Sequence, residues 1–178
     1  PPNIANAAGT FGGTVSGSGG LTVAGGTQTL SGVNTYTGAT TVNAGTLALS
    51  GAGRLASSTA VTLAGPVAAL DLSAAGSQTV AHLSGVAGSR VVLGGSALTL
   101  SDDSSQTFGG SLVGTGGLVK QGAGMLTLNG VSNAFSGTTT VAGGTLAVGD
   151  AANPAAVLGG NVVVNSLGAL RGHGTISG

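Results

Sequence analysis

The sequence predicts an all-β chain wound as a right-handed parallel β-helix, a β-solenoid of roughly eight coils and a fragment of a longer rod. Three observations predict it. Glycine supplies 37 of the 178 residues, while Lys and Arg together number four and Asp and Glu four. Apolar and β-branched residues come in threes and fours between the glycines. A long stretch of the chain recurs, with gaps, at an offset that drifts from 97 to 99 residues.

The composition excludes several classes. A chain with no Glu, one Lys and a glycine every few residues does not build helical bundles or coiled coils. Collagen needs glycine at every third position, and disorder goes with low hydrophobicity and high net charge, whereas this chain is 41% hydrophobic with a formal net charge of zero. Four scattered cations make no basic face for phosphates, so no nucleic-acid partner is expected. Without cysteine there is no disulfide framework and no thiolate metal site. The apolar runs fall far short of the ~20 residues of a membrane helix, and no basic-then-apolar leader opens the sequence.

The recurrence aligns Phe11–Leu49 with Phe108–Val148, with single-residue insertions at Ala123 and Ser132, and 22 of the 39 aligned positions are identical. One internal unit therefore runs over 11–107 and a second, shortened at Gly178, over 108–178, within a single segment 1–178. Each unit reads as short strands: Leu21–Val23, Gln28–Leu30, Thr40–Val42, Thr46–Leu49, Val61–Leu63, Val91–Leu93 and Leu98–Leu100. Alternate residues of such strands face inward, and paired glycines such as Gly25-Gly26 and Gly143-Gly144 allow tight corners. Coils of about 20 to 25 residues stacked ~4.8 Å apart give a narrow interior of aliphatic rows and a rod of the order of 40 Å. Sandwiches and up-and-down barrels also use short strands between glycines and remain alternatives, but those folds rarely carry a period near a hundred residues within one domain.

The order Gly-Gly-Leu, Leu-Thr-Leu, an aromatic two residues before Gly, Thr-Thr-Val and Gly-Thr-Leu is kept in GGLVKQGAGMLTLNGVSNAFSGTTTVAGGTLAV and in GGLTVAGGTQTLSGVNTYTGATTVNAGTLAL. It resembles the autotransporter-associated β-strand repeat of passenger domains in type V secretion, over residues from about 11 to 178. The resemblance implies a β-helical stalk exported through the outer membrane to the cell surface or medium of a Gram-negative bacterium. It implies as partners the passenger's own C-terminal outer-membrane β-barrel and an N-terminal effector domain, both outside this chain, with the outer-membrane assembly machinery during export. The closing Gly-His-Gly-Thr-Ile-Ser-Gly resembles sequence leading into an autochaperone segment.

The repeat positions expected to build the rod are Leu21, Leu30, Tyr36, Gly38, Val42 and Leu47 in the first copy and Leu118, Leu128, Phe135, Gly137, Val141 and Leu146 in the second. Tyr36 and Phe135 either fill the widest corner of a coil or cover it from outside, where stacking on a sugar is the functional alternative. Asn34, Asn133 and Asn43 are expected at turns or in ladders between coils, and Gly45 and Gly144 at corners.

Chemistry-bearing residues are few. The carboxylates are Asp71, Asp102, Asp103 and Asp150, and the imidazoles are His82 and His173. Adjacent Asp102 and Asp103 in Ser-Asp-Asp-Ser-Ser read as a solvated loop rather than as an acid and base pair. Lys120 lacks the preceding glycine of a phosphate loop, and no nucleophile elbow or dinucleotide fingerprint is present. No enzyme activity and no cofactor are expected. The functional expectation is a structural stalk that aids passenger folding and export and displays an effector region. The alternative is an adhesive or self-associating surface in cell aggregation or host attachment. Ice binding through Thr-x-Thr rows fails because the pairs do not recur at every coil.

Overall fold

A computed structural model describes residues 3–4, 8–57, 59–101, 103–132 and 134–178, the side chains of residues 3–4 excepted. Every regular element among them is a strand. The first coil holds β1 (Asn3–Ile4) and β2 (Gly9–Phe11), the second β3 (Leu21–Val23) and β4 (Thr27–Leu30), and the third β5 (Thr40–Val42) and β6 (Thr46–Gly51). From the fourth coil three strands appear per turn: β7 (Ala60–Leu63), β8 (Ala69–Ala75) and β9 (Gln78–Val80). They are followed by β10 (His82–Gly85), β11 (Arg90–Gly94) and β12 (Leu98–Leu100), then β13 (Gln106–Phe108), β14 (Ser111–Gly114) and β15 (Leu118–Lys120). The seventh coil is β16 (Met125–Leu128), β17 (Val131–Ser132) and β18 (Thr139–Val141), and the eighth β19 (Gly144–Val148), β20 (Val157–Gly159) and β21 (Val162–Val164). Two strands, β22 (Gly168–Gly172) and β23 (Thr175–Ser177), begin a ninth.

Strands of successive coils pair in parallel and in sequence, which makes a three-faced β-solenoid of about eight turns. The first face is one nine-stranded sheet, β1-β3-β5-β7-β10-β13-β16-β19-β22. The second face is the six-stranded sheet from β2 to β14, continued by β17-β20-β23 across a parallel bridge between Gly114 and Phe135. The third is β9-β12-β15-β18-β21, preceded in the early coils by irregular backbone with one bridge, Val33 to Arg54. Contacts from one coil to the next join residues 19 apart at Val15 and Asn34, 20 apart at Leu112 and Ser132, and 23 apart at Leu83 and Gln106. The first two coils, at 19 residues, thus fall just below the expected 20 to 25.

Alternation sets the interior. In β3, β5, β12 and β18 the outer two residues are buried and the middle one half-exposed, as the period of two in a strand requires. Leu21, Val42, Leu47, Leu63, Leu98, Leu118, Val141, Leu146 and Leu158 belong to one continuous apolar cluster. Each such side chain contributes roughly 1.5–3 kcal/mol on burial, set against the conformational entropy of the ordered backbone. The corners need bare backbone. Gly45 and Gly144 have φ of 74° and 66°, and a Cβ on either would lie 2.1 and 2.4 Å from a carbonyl oxygen of the preceding coil. At Gly38 and Gly137 a Cβ would stand 2.5 Å from the carbonyl carbon of Gly19 and 1.7 Å from the carbonyl oxygen of Gly116. No side chain is accommodated there without moving coils apart.

Candidate functional site

The repeat positions expected to build the rod face inward or stand at corners, whereas Val33 and Val131, which also recur, are exposed. Leu21, Leu30, Val42 and Leu47 of the first copy and Leu118, Leu128, Val141 and Leu146 of the second are all buried, as are Tyr36 and Phe135. The two copies do not lie on the same faces. Leu21–Val23 and Thr40–Val42 are on the first face, whereas their counterparts Leu118–Lys120 and Thr139–Val141 are on the third. Thr27–Leu30 and Thr46–Gly51 are on the second face, whereas Met125–Leu128 and Gly144–Val148 are on the first. From β3 the chain climbs four rungs of the first face to β13 and passes two more faces, through β14, to reach β15. The copies are therefore four and two-thirds coils apart.

Each aromatic plugs the corner that follows its irregular or short segment. Tyr36 lies between the third face and β5, Phe135 between β17 on the second face and β18, and both are sealed inside, at 0% and 1% exposure. That burial removes the sugar-stacking alternative. The Tyr36 hydroxyl and Thr40 Oγ1 are 2.5 Å apart in a hydrogen bond. Burial pushes the Tyr36 phenol above its ordinary pKa, against the opposing pull of the Thr40 bond. Phe135 has no hydroxyl to offer, and Thr139, which stands where Thr40 stands, has a buried Oγ1 without a partner. The copies share a shape but not a hydrogen bond.

Buried side-chain oxygens accept N–H groups of the preceding coil. Asn34 Oδ1 accepts from Val15 N–H at 2.9 Å, while its Nδ2 donates to the carbonyls of Gly32 at 3.0 Å and Arg54 at 2.9 Å, so one side chain ties three coils. In the second copy Ser132 Oγ accepts from Leu112 N–H at 3.0 Å, and Leu112 is the counterpart of Val15. The inserted serine thus does the work of an asparagine. Asn133 lies outside the described residues, and Asn43 is exposed. Gln78 Oε1 accepts from Leu55 N–H at 3.2 Å, and Gln106 Oε1 from Leu83 N–H at 2.5 Å. The sequence reading missed both glutamines, although a signal exists. Gln28-Thr-Leu30, Gln78-Thr-Val80 and Gln106-Thr-Phe108 share one pattern, in which glutamine takes the inward place at or near a strand start.

Lys120 is a further buried polar residue that the sequence reading did not place. Its register equals that of Val23, so it points inward at 0% exposure, and its ammonium donates to the carbonyl oxygens of Gln121 and, at 3.0 Å, Gly122. The carboxylates are apart. Asp71 accepts from Ser73 N–H and hydroxyl, Asp103 accepts from Ala123 N–H at 2.7 Å, and Asp102 lies outside the described residues. Asp150 caps the 150–153 turn, and hydrogen bonds from Asn153 first, then Asn129, hold its carboxyl below the usual pKa. His82 Nδ1 and Ser104 Oγ are 3.3 Å apart on the exposed surface, and His173 is exposed in the ninth coil. Among the described residues no three of His, Cys, Asp or Glu gather as a metal site.

Outside, the first face carries a column of hydroxyls. Thr22, Thr41, Thr62 and Ser84 stand in register, and the Gly85–Phe108 pairing sets Thr107 in line with them, while Thr127, next in register, is buried and ends the column. Thr62 Oγ1 and Ser84 Oγ are 3.1 Å apart. On the third face a polar groove of about 440 Å³ lies between Arg54–Ser57 and Ser77–Thr79, where Gln78 replaces the backbone ladder.

Known proteins match the same stretches. The passenger-associated-transport-repeat family matches residues 25–49 and 118–148, the parts of the two copies that contain the aromatic corners. The adhesin BmaC autotransporter of Brucella suis biovar 1 (strain 1330) is 44% identical over 64 residues, 35% of this chain. The chain spans 2% of the length of that relative. No solved structure matches the chain. The two stretches that match the passenger-associated-transport-repeat family are thus wound into one parallel β-solenoid.

Proposed function

We propose that this segment is a structural stalk of a passenger exposed on, or released from, a Gram-negative cell, and that it does no catalysis. It drives passenger folding during export and carries an effector region at its N-terminal side. Its partners are the passenger's own C-terminal outer-membrane β-barrel, the effector domain and, in transit, the outer-membrane assembly machinery. The observation that carries the reading is the uninterrupted apolar stack from Leu21 to Leu158. Each coil buries aliphatic area only against its neighbours, so each coil that forms outside the membrane templates the next and opposes return. A chain with eight charges and no cysteine also threads a narrow pore unfolded at little desolvation cost.

The test places the chain between an N-terminal reporter and an outer-membrane barrel and counts reporter at the cell surface. Variants that weaken single coils should lower surface yield in the order of their stability loss. Wild-type yield from a segment that no longer folds would end the reading. A disulfide between Thr62→Cys and Ser84→Cys, register partners on the first face, should stall export when oxidised in the periplasm, because a closed coil does not thread.

An adhesive or self-associating surface is the second reading, favoured by the matched adhesin and by the hydroxyl column of the first face. Lysines at Thr41, Thr62 and Thr107 should then abolish aggregation or attachment with surface yield unchanged. Undiminished attachment counts against that face.

A further inference from the structure

We infer that the repeat is a coil-building cassette that works on any of the three faces, and that its outward side is therefore not a surface epitope. This deepens the stalk reading and rests on it for the link to export. The copies are four and two-thirds coils apart, so every strand of the second copy stands one face behind its counterpart in the first. A partner that recognised the outer side of the repeat on one face would meet only one copy there. The inward pattern, by contrast, is served equally on both faces.

The neighbours explain why. Leu47 packs in register with Gln28 and Leu70 on the second face, while its counterpart Leu146 is in register with Leu126 and Leu170 on the first. Val42 stands beside Val23 and Leu63, and Val141 beside Lys120 and Val164. The surroundings differ in identity, yet all eight positions are rungs of parallel ladders, six of them buried and two, Val164 and Leu170 in the last coils, exposed. Corners behave alike: Gly45 turns the chain from the first face to the second, and Gly144 from the third to the first, at φ values 8° apart. Ser132 and Asn34 both return an N–H of the preceding coil, one on each of two faces. What a cassette requires is a preceding coil of the same cross-section, and all three faces present one.

The experiment exchanges cassettes in the 178-residue chain. Residues 25–49 are replaced by the sequence of 122–148, and in a reciprocal chimera 122–148 by that of 25–49. Both should keep the strand signal in far-ultraviolet circular dichroism and melt cooperatively within about 5 °C of the parent. The same cassette put out of phase by one residue inserted within a strand, between Thr46 and Leu47, turns its leucines outward and should not fold. Loss of cooperative melting in either in-phase chimera, or tolerance of the out-of-phase one, overturns the inference. Folded chimeras that fail to export in the barrel fusion leave the cassette standing and remove the stalk reading.

Discussion

The aromatic corner of the first copy and that of the second are built to one plan and finished differently. Around Tyr36 the polar groups close: the phenol meets Thr40, and Asn34 satisfies groups in three coils. Around Phe135 the shape is the same, but Thr139 Oγ1 is buried without a partner, and among the described residues one side-chain bond, accepted by Ser132 Oγ from Leu112 N–H, splices this segment to the preceding coil. Backbone geometry and apolar volume are therefore what the repeat preserves. Internal hydrogen bonding has been left to drift, at a cost of about 1–3 kcal/mol for an unpaired buried hydroxyl.

The largest effect should come from breaking what the copies share. Leu47→Asp and Leu146→Asp each bury an unpaired carboxylate in the stack, and each should cost more than about 4 kcal/mol or abolish folding, read by urea denaturation. Equal damage on two faces is the expected result, and a mild effect on one would mark that face as tolerant. Next come the corners. Gly137→Ala drives a Cβ to 1.7 Å from the Gly116 carbonyl oxygen and Gly38→Ala to 2.5 Å from Gly19, so losses of about 2–4 kcal/mol are expected, the former the greater.

The polar splices should separate the copies. Asn34→Ala removes three hydrogen bonds, and Ser132→Ala one, so losses of about 3 and about 1 kcal/mol are expected. Comparable to the Ser132 loss, Tyr36→Phe should cost about 1 kcal/mol by orphaning Thr40, while Phe135→Tyr should gain about 1 kcal/mol if its hydroxyl reaches Thr139. A neutral Tyr36→Phe would remove the distinction between the corners.

The last difference is in alkali. Because the folded Tyr36 pKa is raised, the unfolded chain loses that proton first. Its share of stability is whole below the unfolded pKa near 10 and is lost as pH rises through the folded value. Melting temperature above pH 10 should fall more steeply in the parent than in Tyr36→Phe. Parallel curves would show that the buried phenol does not carry the effect.

Much of the fold is legible in the residues because strand alternation and glycine corners are local. Leu21-Thr-Val23 and Thr40-Thr-Val42 declare their inward faces, and Gly45 its positive φ, without knowledge of any neighbour. The aromatic corner was legible as a position but not as inside or outside, since an aromatic before glycine fits either until the coils close over it. Lys120 was weighed only against a phosphate loop, although its place in Leu118-Val-Lys120 repeats that of Val23 and announces an inward side chain. Gln78 and Gln106 went unseen because their acceptors serve N–H groups more than twenty residues away.

By itself the sequence determined the class of the fold, the inward residues, the corners and the kinship of the two copies, all of them consequences of patterns a few residues long. The tertiary structure alone decided on which face each copy stands. That position is the sum of every coil length between them, from the 19-residue turn at Thr40 to the 23-residue turn at Gln106. A residue more or less in any corner shifts the sum without disturbing the local pattern.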